Sequence, residues 1–197
     1  THDVAGYGKI NESELFRSSE SVVVMLAEEQ IAENTSQFFE LPLPDDFLQR
    51  RGGLREIRVS LAYTPPVRTT RIEYRATRIG FKLVQGHSLQ EVERHFDNAA
   101  KAEYQTMPES SAANRFVSSE LREKGTVQCS VWTRKQLDPS KKWFVVVTRN
   151  DYGWGQELCN ELENYALVVT VTDRENENAQ LYTQIQQQIN LQLRGRV

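Results

Sequence analysis

The chain has 197 residues, a formal net charge of −3, 39% hydrophobic and 26% charged residues, and a pI near 5.7. That length suits one well-buried domain, or one domain with a sizeable helical insertion. Mild acidity argues against a dedicated nucleic-acid binder, whose surface is strongly basic as a rule, and no apolar run approaches the roughly 18 residues of a membrane span.

The opening THDVAGYGKI begins at Thr1 and carries a Gly-Tyr-Gly turn, without the basic and apolar segments of a signal peptide. We read it as a domain boundary inside a longer parent, with residues 1–20 a linker and short helix and residues 21–197 one folded domain. In NESELF, Asn11 stands three residues before Glu14, the spacing of a helix capping box. SVVVMLA, from Ser21 to Ala27, is apolar at both parities and predicts a strand buried on two sides. In QFFELPLP, Phe39, Leu41 and Leu43 share one face, while Pro42 and Pro44 confine the segment to a sheet edge.

The clearest strand is LREIRVSLAYT, where Ile57, Val59, Leu61 and Tyr63 alternate with Arg58, Ser60, Ala62 and Thr64. Pro65 and Pro66 end it. RIEYRATRIGFKLV then reads as a strand with Ile72, Tyr74 and Ala76 on one face, but the apolar phase moves to Ile79, Phe81 and Leu83. A bulge or bend near Thr77 and Arg78 absorbs that slip.

HSLQEVERHFDNAAKAEY switches to helical period through Leu89, Val92, Phe96, Ala99 and Ala100, with Ser88 and Glu91 as a second capping box. The polar stretch after it reads as a loop, so a helical insertion of about 88–122 interrupts the strands. TVQCSVWT, KWFVVVTR and YALVVTVTD are valine-rich strands, and the tail from Asn178 predicts a helix to about Gln188 followed by a short strand. Seven or more strands with few helices imply a mainly β fold, a β-sandwich of the jelly-roll or Greek-key kind.

Catalytic signals are scarce. No serine sits in a Gly-flanked nucleophile turn, and Ser88 beside His87 is read as a helix cap. His87 and His95 are eight apart and Cys129 and Cys159 thirty apart, unlike the close pairs of zinc sites, so no metal and no cofactor are expected and the cysteines are read as free thiols. DRENEN, from Asp173 to Asn178, lacks the Gly and terminal Glu of a calcium loop and reads as a solvated turn. Arg68, Arg71, Arg75, Arg78 and Lys82 cluster in sequence, but Glu73 lies among them, so they read as a solvated or inter-domain face. NDYGWG places Tyr152 and Trp154 in a Gly-rich loop at a sandwich end, where such folds often bind sugars or peptides.

Taken together, GYGKINESELFRSSESVVVMLAEEQI, FFELPLPDDF, IRVSLAYTPPVR and YALVVTVTDRE resemble the C-terminal region of bacterial subtilisin-like serine proteases, particularly large ones associated with AAA-type ATPases. The likeness runs over nearly the whole chain, with Gly6, Tyr7 and Gly8 matching the family's turn just after its catalytic domain. It implies a galactose-binding-like or P-domain-like sandwich that buttresses the protease domain, helps it fold or gates its cleft. The family's catalytic Asp, His and Ser motifs have no counterpart in these residues, so hydrolysis belongs to the parent and not to this segment. The implied partners are the protease domain itself, contacted through Tyr7, Leu15 and Phe16, and an AAA-type ATPase; nucleic acid and membranes are not expected, and the location expected is the cytoplasm. The competing reading is a carbohydrate- or peptide-binding module that uses Tyr152 and Trp154.

Overall fold

The alternation of Ile57, Val59, Leu61 and Tyr63 gives a strand with one dry face. In the computed structural model Arg55–Tyr63 forms that strand, and all four side chains are buried. Residues 17–99, 125–134 and 137–194 are described. In chain order, β1 (Val22–Ala32), β2 (Ser36–Leu41) and a short helix α1 (Asp45–Gln49) precede this strand, which is β3. After it come β4 (Thr77–Gly86), helix α2 (Leu89–Ala99), β5 (Val127–Arg134), β6 (Lys142–Asp151), β7 (Leu162–Thr172) and helix α3 (Leu181–Arg194).

Two antiparallel sheets pack face to face, one in the order β1-β7-β3-β5 and the other β2-β6-β4. The expected β-sandwich is therefore found. Odd-numbered strands lie in one sheet and even-numbered strands in the other, so every link between consecutive strands crosses between the sheets. The main core between them joins Ile57, Val59 and Leu61 of β3, Phe81 and Leu83 of β4, Trp132 of β5 and Leu167 and Val171 of β7. Each such side chain contributes about 1.5–3 kcal/mol by leaving water.

Strand β6 is buried at every position from Trp143 to Val147 because both its faces are covered. Trp143, Val145 and Val147 face the main core, while Phe144 and Val146 join Val84, Phe38 and two residues of α2, Val92 and Phe96, on the outer side. Helix α2 thus lies over the outer face of the three-stranded sheet. Its start is fixed as the sequence implies: the Ser88 hydroxyl accepts the Glu91 N–H at 3.2 Å, and the Glu91 carboxylate accepts the His87 N–H at 2.7 Å.

At three places the structure departs from the sequence reading. β1 is not buried on two sides: among the described residues it is an edge strand whose ladder partner is β7 and whose outer face nothing covers, so Leu26 is 53% exposed. The doubly buried strand is β6 instead. Residues 68–74 are not strand; Val67 and Arg75 form an isolated bridge that closes them into a loop, leaving Ile72 and Tyr74 exposed while Ala76 is buried. The phase slip before Thr77 marks the point where that loop re-enters β4. The tail does not turn to strand after Gln188, because α3 continues to Arg194. Leu181 and Ile185 on α3 enter the main core, which holds the helix across the end of the sandwich. The insertion expected at about 88–122 is helical over Leu89–Ala99, and the rest of it, like NESELF and the proposed contacts Tyr7, Leu15 and Phe16, lies outside the described residues.

Candidate functional site

Three connections between the sheets meet at one end of the sandwich: the β1–β2 turn at 33–35, the β3–β4 loop at 64–76 and the β6–β7 loop at 152–161. A buried ion pair ties them together. Arg149 and Asp151, two residues apart on β6, point the same way, and their side chains are 1% and 2% exposed. The guanidinium donates to both carboxylate oxygens at 2.9 and 2.6 Å and also to the carbonyls of Ile31, Asn160 and Glu161. The Thr77 hydroxyl donates to the same carboxylate. Burial pushes the Asp151 carboxyl up, but the Arg149 and Thr77 hydrogen bonds and the Arg149 charge outweigh it and hold the carboxyl below its ordinary range.

Beside this pair, burial and then the Asp151 charge push the Cys159 thiol up to about 11. It is therefore a protonated, unreactive thiol at neutral pH. Cys129 and Cys159 are both free, with Cys129 exposed on β5. Among the described residues, no group of three or more His, Cys, Asp or Glu side chains is placed to hold a metal ion.

On this base sit the two predicted ligand residues. Tyr152 and Trp154 stack on each other, with centroids 6.3 Å apart and planes at 20°, and the Arg71 guanidinium lies 5.0 Å from the Trp154 ring centre. Both rings are half-buried. The Tyr152 N–H donates to the Ala76 carbonyl at 2.9 Å, which joins the β6–β7 loop to the β3–β4 loop. Gly155 makes that contact possible, since a Cβ there would stand 2.6 Å from the Ala76 Cα and 2.7 Å from its Cβ and carbonyl oxygen. Gly155→Ala forces backbone apart and is expected to cost about 1–3 kcal/mol. A thermal melt, with Trp154 emission as a local probe, checks it.

The β3–β4 loop is held rigidly at its neck and bare at its tip. Arg68 N–H donates to the Tyr74 carbonyl at 2.6 Å and Ala76 N–H to the Pro66 carbonyl at 2.8 Å, while buried Arg75 binds Glu73 through Nε and a terminal nitrogen at 3.0 and 2.7 Å. Ile72 is 105% exposed, Val67 54% and Tyr74 48%. The basic group read from the sequence is thus divided: Arg75 is buried in an ion pair, whereas Arg68 and Arg71 are exposed.

A second surface is the outer face of the four-stranded sheet. Cross-strand register aligns Leu26, Val168, Ser60 and Cys129 in one row and Glu28, Ala166, Ala62 and Val127 in the next. Leu26 and Val127 are exposed, the latter at 76%, and among the described residues no helix lies over this face. His87 is exposed, 3.2 Å from the Ser140 carbonyl. DRENEN is a turn with Arg174, Glu175, Glu177 and Asn178 exposed, but it is not solvated throughout: Asp173 is buried against Arg50 and receives the Asn176 amide before the chain enters α3.

The sandwich defines the chain as a mainly β domain with one loop-rich end. No family model matches it. Over 192 residues it is 27% identical to an uncharacterized protein, y4bN, of Sinorhizobium fredii, an alignment that covers 94% of this chain and 43% of that protein. The chain thus spans less than half the length of this relative.

Proposed function

We propose that this chain is a non-catalytic accessory domain of a longer protein, a subtilisin-like serine endopeptidase, and that the outer face of its four-stranded sheet rests on the protease domain. The observation that carries the reading is the unequal covering of the two sheets. Helix α2 buries Phe144 and Val146 on one side, while on the other side Leu26 and Val127 are exposed and Val168 between them is only half-buried. A sheet face on which exposed Leu26 and Val127 stand among polar groups such as Glu28 and the Arg58–Glu56 pair suits a surface used by another domain, since interfaces between domains of one chain are mixed in this way. The motif order that resembles subtilase C-terminal regions supplies the identity of that domain, and a relative more than twice the aligned length is in keeping with a module inside a larger chain. An AAA-type ATPase would then act on the whole protease.

The test is to express the parent protease with this segment, without it, and with Val127→Glu in the sheet face. Soluble yield, Tm and peptidase rate are followed. Loss of the segment and the Val127→Glu substitution are both expected to lower parent Tm or change the rate, while Val127→Glu, at a position 76% exposed, leaves the stability of the isolated segment within about 0.5 kcal/mol. Identical yield, Tm and rate with and without the segment would overturn the reading. A carbohydrate- or peptide-binding role for Tyr152 and Trp154 has less support, because the two rings occupy each other and Arg71.

A further inference from the structure

We infer that the tip of the β3–β4 loop is a contact site for an anionic lipid surface, a role separate from the sheet face and not resting on it. Four observations converge there. Ile72 is more exposed than an isolated residue in an extended chain, at 105%, and stands in a loop whose neck is closed by the Val67–Arg75 bridge. Val67 and Tyr74 add apolar surface on either side of it. Exposed Arg68 and Arg71 flank it, while the one acidic residue of the loop, Glu73, is spent on Arg75. Trp154, a residue type that favours the level of lipid headgroups, stands beside Arg71.

The shape decides between occupants. A protruding aliphatic side chain needs a complementary hole in a protein partner, but a fluid bilayer accepts it without one. The charge agrees: the chain as a whole is acidic at −3, yet this tip presents two exposed guanidinium groups. The other two connections at this end carry Glu33, Glu157 and Glu161, so the attraction is local to the tip and the apolar insertion has to supply much of the binding. No helix among the described residues is long and apolar enough to cross a membrane, and the contact proposed is peripheral.

The experiment uses the 197-residue chain with vesicles of phosphatidylcholine alone, or of phosphatidylcholine with phosphatidylserine. Sedimentation gives the bound fraction, and the change in emission lost in Trp154→Phe reports the loop, since Trp132 and Trp143 are buried in the core. Binding is expected only to the vesicles with phosphatidylserine, weakening as salt rises. Ile72→Asp, at a position that touches nothing, is expected to weaken it by about tenfold or more with unchanged Tm. Arg68→Glu is expected to weaken it and to flatten the salt dependence. Equal binding to both vesicles, no binding to either, or full binding by Ile72→Asp would overturn the proposal. So would direct binding of soluble poly-glutamate in the absence of vesicles that is lost in Ile72→Asp, an outcome that assigns the tip to an acidic protein.

Discussion

Replacing Asp151 with Ala is expected to destabilise the domain by about 3–5 kcal/mol, because it strands the Arg149 charge in a place water does not reach. For a chain of this size that lowers Tm by on the order of 10 °C. Replacing both members by apolar residues is expected to recover only part of the loss. The carbonyls of Ile31, Asn160 and Glu161 would still lack the donor that Arg149 gives them. The same pair sets a pH signature. The Asp151 carboxyl is lowered in the folded state, so its contribution is complete above its ordinary value of about 3.9 and is lost as pH falls through the lower folded value. Urea unfolding at a series of pH values should therefore show wild type and Asp151→Ala converging in strongly acid solution. A constant gap between them down to the lowest pH at which both fold would mean that the carboxylate is not what Arg149 holds.

Trp132→Ala is expected to cost about 3–5 kcal/mol and to loosen β5 first. Among the described residues β5 is the last strand of its sheet, paired with β3, and its Trp132 and Gln128 side chains reach the facing sheet. Trp132, 1% exposed, meets the Phe81 ring of β4 edge-on with centroids 6.5 Å apart, and the Gln128 amide donates to the Ile79 carbonyl at 2.6 Å. Removing the indole leaves a cavity between the sheets and one clip in place of two. Trp132→Phe should fall within about 1 kcal/mol of wild type, since it keeps an aromatic edge and removes an indole N–H that has no acceptor in the core. Hydrogen exchange along β5, compared with β3, separates local loosening from global loss.

Patterns of one or two periods were legible in the sequence, and covering was not. β3 alternates cleanly because one of its faces is dry and the other wet, and the Ser88 and Glu91 spacing marked the start of α2. β1 and β6 are both valine-rich. What makes the first an edge and the second doubly buried is the position of α2 and the pairing order, which no local pattern encodes. Ile72 and Tyr74 continue a strand-like alternation up to Ala76, and it is the backbone bonds from Arg68 to Tyr74 and from Ala76 to Pro66 that show the chain turning there. The Pro65-Pro66 pair and Thr69-Thr70 were the available hints. At the loop end, Tyr152 and Trp154 could be picked out by their Gly neighbours. Arg71, far away in sequence, could not be paired with Trp154, and Arg149 and Asp151 looked like ordinary charges at a strand end until burial showed otherwise.

The alternation of strands between sheets also dictates how the chain must assemble. Among the described residues no two consecutive strands pair, so none of these strands forms a hairpin that could serve as a local nucleus, and every one of their ladders closes a long loop. Refolding should belong to the slow, millisecond-to-second class of all-β domains. β7, the last of the described strands, lies between β1 and β3, and among the described residues β1 joins no other strand. During synthesis the backbone of β1 therefore waits unpaired until nearly the whole sequence has emerged, a window in which its valine-rich edge is open to any other strand. A chain stopped before Leu162 is a sheet with its middle missing, not a smaller version of the fold.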